Sequence, residues 1–192
     1  RAIYDKMKKE HPFLTSSEDN VMAGFMAFSE KSDQQLIDEA EQCYDLLRKK
    51  FSDKNAVQTV SHILAMTKGS PEDKVNRLCR MFDMLADAGH KFGKHYELST
   101  LAAVSIIEAD EKELVDNITD IDSQLSGQKG YGVLSLDKKT RLMHSAMLTA
   151  DLYGGSDNTQ AAVSASALAM IAAEEAAICA AIVATTAASN AN

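Results

Sequence analysis

Apolar side chains in this chain return at steps of three and four and never hold a sustained alternation. Leu36, Ala40, Cys43, Tyr44 and Leu47 make one such stripe; Leu114, Ile118, Ile121 and Leu125 make another. Steps of three and four keep one face of a helix apolar, whereas a half-buried strand alternates at every second residue. The pattern predicts helices near 17–30, 33–49, 54–67, 71–88, 97–108, 111–126 and 136–152. Residues 1–10 read as the end of a further helix, and residues 159–188 as a last, long one. A stripe this narrow buries too little to hold a helix alone, so the helices must stack.

The stretch 78–107 shows the unit that recurs: a helix through Leu78, Phe82 and Leu85, a loop carrying Gly89 and Gly93, and a helix through Leu101 and Val104. Three sets of markers share its period. A hydrophobic residue followed by aspartate occurs at Tyr4-Asp5, Tyr44-Asp45, Phe82-Asp83 and Ile121-Asp122. A loop aromatic follows each, at Phe13, Phe51, Phe92 and Tyr131. Helix starts at Ser32, Ser70 and Asp110 each carry a polar side chain three residues on (Gln35, Asp73, Glu113), and Pro71 suits a first helical turn. Steps of about 40 residues with two helices each are the mark of stacked helical hairpins. The expected fold is all-α: tandem hairpins in a right-handed, α-solenoid-like array closed by a long alanine-rich C-terminal helix. A single domain spans residues 1–192, with 1–13 the end of a truncated upstream unit, 14–152 the hairpins and 159–188 the cap.

Composition agrees with helix. Hydrophobic content is 45%, and there are only two prolines and nine glycines in 192 residues. A net charge of −8 argues against nucleic acid as a partner, since phosphate backbones demand a concentrated positive face. The basic clusters Lys8-Lys9, Arg48-Lys49-Lys50 and Lys138-Lys139 are short and sit at predicted helix ends, where they read as solvated or dipole-complementing charge. Cys43, Cys79 and Cys179 are widely separated; Cys43 and Cys79 fall on apolar stripes and read as small buried hydrophobes of a reducing cytoplasm. The last helix is long enough to suggest a membrane span, but Glu174 and Glu175 interrupt it. It is expected to cap the array or to mediate homo-oligomerisation. Because the chain opens at Arg1 without methionine, it is expected to be a piece of a longer protein.

Several stretches together resemble a known family. They are Lys9-Glu10-His11-Pro12-Phe13-Leu14-Thr15-Ser16, Ser61-His62-Ile63-Leu64-Ala65, Gln128-Lys129-Gly130-Tyr131-Gly132, Leu136-Asp137-Lys138-Lys139-Thr140-Arg141-Leu142-Met143 and the Ala/Ser-rich tail. The chain is similar over essentially its whole length to the bacterial domain of unknown function 4003. The resemblance implies a bacterial, cytoplasmic protein extending upstream of Arg1, and it carries over no activity and no functional residue.

Candidate chemistry is sparse. His90 and His95 are five apart in one loop, a spacing that no common zinc motif uses, so no metal is expected. His62 and His144 fall in helices two units apart, roughly 20 Å at ordinary helix spacing, too far to share a ligand. Ser61-His62 and His144-Ser145 are sequence neighbours, which on a helix diverge by about 100° and do not make a nucleophile–base pair. The glycine loops lack the preceding strand and the Lys-Ser/Thr ending of a phosphate cradle, and no cofactor is expected. Their aromatics read as plugs between hairpins. That leaves Asp45, Asp83 and Asp122, which form either an acidic ladder facing a protein or peptide partner or a set of anchors fixing the geometry of the units. Two functions follow: a non-enzymatic helical-repeat interaction scaffold, or an enzyme whose full-length chain closes into an α/α toroid around a central pocket.

Overall fold

The computed structural model describes residues 31–131 and 136–153, together with the isolated positions 5, 8, 9, 23, 24, 26, 29 and 164. Among the described residues six helices follow one another: α1 Asp33–Leu47, α2 Lys54–Ala65, α3 Pro71–Asp87, α4 Leu98–Ser105, α5 Glu111–Ser126 and α6 Lys138–Leu152. No strand lies among the described residues. The protein is all-α, as the three- and four-residue steps require. Most of the segment 1–13, of the helix expected near 17–30 and of the C-terminal helix expected at 159–188, with Cys179, lies outside the described residues. Ala23 and Met26 are described, and both are buried.

Side-chain caps set most of the helix starts. Ser32 and Gln35 form a reciprocal capping box, with the Gln35 amide donating to Ser32 Oγ at 3.3 Å and the Ser32 amide to Gln35 Oε1 at 3.0 Å. Ser70 accepts from the Asp73 amide at 3.1 Å, ahead of Pro71 in the first turn. Asp110 accepts from the amides of Lys112 and Glu113. Asp53 and Asp137 do the same for α2 and α6, through the amides of Ala56 and Thr140. Such caps contribute about 1 kcal/mol each. Of these six helices only α4 lacks one: Glu97 precedes it without capping, and the helix is eight residues long.

Helix neighbours alternate. α1 packs beside α3 and α3 beside α5, while α2 packs beside α4 and α4 beside α6. The most extensive pairs are α1 with α2 and α5 with α6. The unit read from 78–107, α3 with α4, packs less extensively than these two, α2 meets α3 over a short stretch only, and α4 and α5 do not pack along their lengths. A sequence period sets the step between units but not which members of successive units lie closest.

Burial recurs with the caps. From Ser32 to Leu47 and from Ser70 to Leu85, a step of 38, the order of buried, half-buried and exposed positions is the same except where Tyr44 meets Phe82. From Ser70 to Arg80 and from Asp110 to Asp120, a step of 40, it is identical. α1, α3 and α5 therefore bury one stripe each, while all eight residues of α4 are buried. A helix covered on every face belongs to the interior, and α4 supplies Leu98, Leu101 and Val104 to the core. Phe51 and Phe92 are buried in the loops after α1 and α3, as expected of plugs. Phe51 meets Phe82 edge-to-face with centroids 5.2 Å apart. Tyr131 is only half-buried and rests against His144.

Candidate functional site

The three aspartates singled out from the sequence do not share one environment. Asp45 on α1 is exposed. Asp83 on α3 is exposed too and receives Lys50 Nζ at 2.6 Å on both carboxylate oxygens. Asp122 on α5 is buried: Arg141 Nε on α6 donates to Oδ1 at 2.7 Å, an Arg141 terminal nitrogen reaches Oδ2 at 3.1 Å, and His90 Nδ1 lies 3.0 Å from Oδ2. Helical register explains the difference. The caps step by 40 from Ser70 to Asp110, but the aspartates step by 39 from Asp83 to Asp122. Asp122 therefore takes the place of Phe82, and Ser123 the exposed place of Asp83. One residue turns a helix by about 100°, enough to move a side chain from the open flank onto the buried stripe.

Asp83 and Asp122 nevertheless share a mode of attachment. Lys50 and His90 each stand two residues beyond the helix-terminating position, Arg48 after α1 and Ala88 after α3. Each reaches the next helix of the same row, Lys50 to α3 and His90 to α5. Gly89 makes this possible in the second case. Its φ of 86° turns the chain so that the His90 amide bonds back to the Leu85 carbonyl at 2.8 Å and the imidazole is delivered to α5.

Further side chains tie loops and helix ends together. His95 Nδ1 lies 2.7 Å from Asp53, joining the α3–α4 loop to the start of α2. Burial pushes the Asp53 carboxyl up, but the Ala56 amide and His95 outweigh it and hold it below the usual carboxylate range. Glu39 on α1 takes both Lys31 and Lys74 at 2.7 Å. Those ammonium groups also reach the carbonyls that end α2: Lys31 bonds Ala65 and Thr67, and Lys74 bonds Thr67. Arg77 on α3 does the same for α4, donating to the carbonyls of Ser105, Ile107 and Ala109 at 2.7–3.0 Å. Cations at helix C-termini complement the dipole and satisfy carbonyls that have no helical donor. Arg80 and Glu111 form a two-pronged pair at 2.9 and 2.6 Å, and the Arg80 guanidinium holds the Glu111 carboxyl low.

The other candidates are spent on structure. His62 is buried on α2, and His144 Nδ1 lies 2.9 Å from the Tyr131 hydroxyl. Ser61 and Ser145 donate to the carbonyls of Gln58 and Arg141 in their own helices, so neither hydroxyl is aimed at an imidazole. Cys43 is fully buried, and burial pushes its thiol up to about 11, far from a nucleophilic thiolate. Cys79 is half-buried, less enclosed than its stripe suggests. Among the described residues no three of His, Cys, Asp and Glu converge as metal donors, and no helix is long and apolar enough to cross a membrane. Sequence reasoning missed the cross-links of Arg77, Arg141, Lys50 and Asp53. Only the Asp53 and Asp137 caps had a local signal, an aspartate directly before a helix.

What these residues define is an all-helical protein whose successive helices and loops are tied by ion pairs and carbonyl-capping cations. Residues 1–177 match the family described as Protein of unknown function (DUF4003), and the chain belongs to that family. It is also similar to the uncharacterized protein YeaA of Bacillus subtilis (strain 168), 30% identical over 131 residues. That segment is 68% of this chain and 39% of the relative, so the chain spans well under half the length of the curated relative it matches. No solved structure matches it.

Proposed function

We propose that this chain is part of a non-enzymatic helical-repeat scaffold that binds another protein, built as a right-handed, α-solenoid-like array. The observation that carries the reading is the recurrence of one burial pattern on α1, α3 and α5, with each of these helices packed on the next. In such arrays each unit rests on its neighbours, and the exposed sides of equivalent helices make a long continuous surface. Here that surface carries Asp45 and Asp83, which face a cytoplasmic protein partner, while Asp122 serves from inside as an anchor. The segment 159–188 closes the array or pairs two copies of it.

Affinity capture from a bacterial lysate with the full-length chain tests this. A stoichiometric protein partner held by the parent and lost on Asp45→Lys/Asp83→Lys, with the unfolding midpoint unchanged, supports it. Turnover of a small-molecule substrate by the full-length protein, with no protein retained, would replace it with the closed toroidal enzyme.

A further inference from the structure

The lysine clusters, scattered in sequence, come together on one edge of the molecule. His95 bridges to Asp53, Lys50 to Asp83, and His90 and Arg141 to Asp122, so the loops after α1 and α3, the end of α5 and the start of α6 follow one another along the same edge. Residues 48–54 hold four cations against Asp53, residues 88–97 hold Lys91 and Lys94 against Glu97, and residues 127–131 and 136–139 together hold three lysines against Asp137. These segments carry nine Lys and Arg and three carboxylates of their own, with Asp45, Asp83, Asp87 and Asp122 at the adjoining helix ends, in a chain whose net charge is −8.

The two signs point in different directions. Asp53 and Asp137 turn to backbone amides at helix starts, and Glu97 is buried against Gly93, accepting from the His95 amide at 3.0 Å. Lys49, Lys54, Lys91, Lys94, Lys129 and Lys138 are all exposed. Of the neighbouring helix ends, Asp83 is already taken by Lys50, and Asp45 and Asp87 add exposed carboxylates on the flanks.

We propose that this edge is a docking surface for an acidic polypeptide segment, adjoining the carboxylate-bearing surface of α1, α3 and α5 at the Lys50–Asp83 pair. Two helix spacings of about 8–10 Å put the outer loops roughly 20 Å apart. An extended peptide covers that distance in about six residues. A short acidic segment fits an edge of this length. A nucleic acid or an anionic bilayer extends beyond it and meets the acidic remainder of the molecule, where like charge repels it.

The test is direct binding to the purified chain, independent of any lysate partner, so a negative result here leaves the scaffold reading intact. A fluorescein-labelled, glutamate-rich peptide of about eight residues is titrated by anisotropy at roughly 50 mM salt, where surface charge is weakly screened. Saturable binding is expected, with the affinity lowered about tenfold or more in Lys49→Glu/Lys91→Glu/Lys129→Glu and little changed by Lys68→Glu in the α2–α3 connection. The Lys→Gln version of the triple variant replaces it if the reversed charges prevent folding, and is expected to weaken binding in the same direction. Failure of the peptide to bind, equal affinity for the triple variant, or tighter binding of duplex DNA or phosphatidylglycerol vesicles than of the peptide overturns the assignment.

Discussion

Asp122 and Asp83 differ by one residue of register, and their substitutions separate accordingly. Removing one partner of a buried ion pair leaves the other charge uncompensated. Asp122→Ala strands Arg141, and with it the His90 contact, so a loss of about 3–5 kcal/mol is expected in urea unfolding. Asp83→Ala removes an exposed pair with Lys50 and is expected to cost less than about 1 kcal/mol. Asp45→Ala, on open surface, should stay within about 0.5 kcal/mol. Equal losses at Asp122 and Asp45 would mean that the carboxylate of Asp122 is not buried in solution. The depressed carboxyls of Asp53, Glu39, Glu111 and Asp137 set the acid limb. A carboxyl whose folded pKa is lowered contributes stability above its unfolded value near 4, and that contribution is lost as pH falls through the folded value. Asp53→Asn keeps the capping oxygen but removes the charge facing His95. It should flatten the fall in stability below about pH 4, as read from urea midpoints across the acid range.

At the scale of the element, helix ends matter more here than helix interiors. α4 has no side-chain cap at its start and depends at its finish on three carbonyl bonds from Arg77. Arg77→Leu is expected to lower stability by about 2–3 kcal/mol, and Arg77→Lys to restore only part of it, because a single ammonium does not span three carbonyls as a planar guanidinium does. Thermal unfolding of the two variants checks this ordering. Phe92, buried in the loop that leads into α4, is expected to cost about 3–5 kcal/mol on truncation to alanine. A change under half a unit would show that its ring is not held in the core.

Across the whole molecule, burial is uneven between the two sets of helices. α1, α3 and α5 each leave one side open, whereas α4 is enclosed on all sides between α2, α3 and α6. Exchange of amides from an enclosed helix requires the larger openings of the structure. The amides of Leu101 to Ser105 are therefore expected to exchange with solvent most slowly, and those at the exposed end of α6, near Leu152, among the fastest. Comparable rates in the two segments, measured by hydrogen exchange, would remove α4 from the centre.

The sequence by itself determined the helical class, the positions of the six described helices to within a few residues, and the cap step that aligns α1, α3 and α5. These are local properties: steps of three and four, a polar residue before a turn, proline in the first turn. The mismatch between caps stepping by 40 and aspartates stepping by 39 is local too, and it places Asp122 on the buried side. Tertiary structure alone decided which helices lie closest, since a period leaves that choice open. It also decided the partners of the charges. Lys50 and Asp83 are 33 residues apart, Arg77 and the end of α4 about 30, and His90 and Asp122 are 32 apart. A long flexible side chain at such separations has no local signature, because its partner is selected by the packing of helices that neither residue specifies.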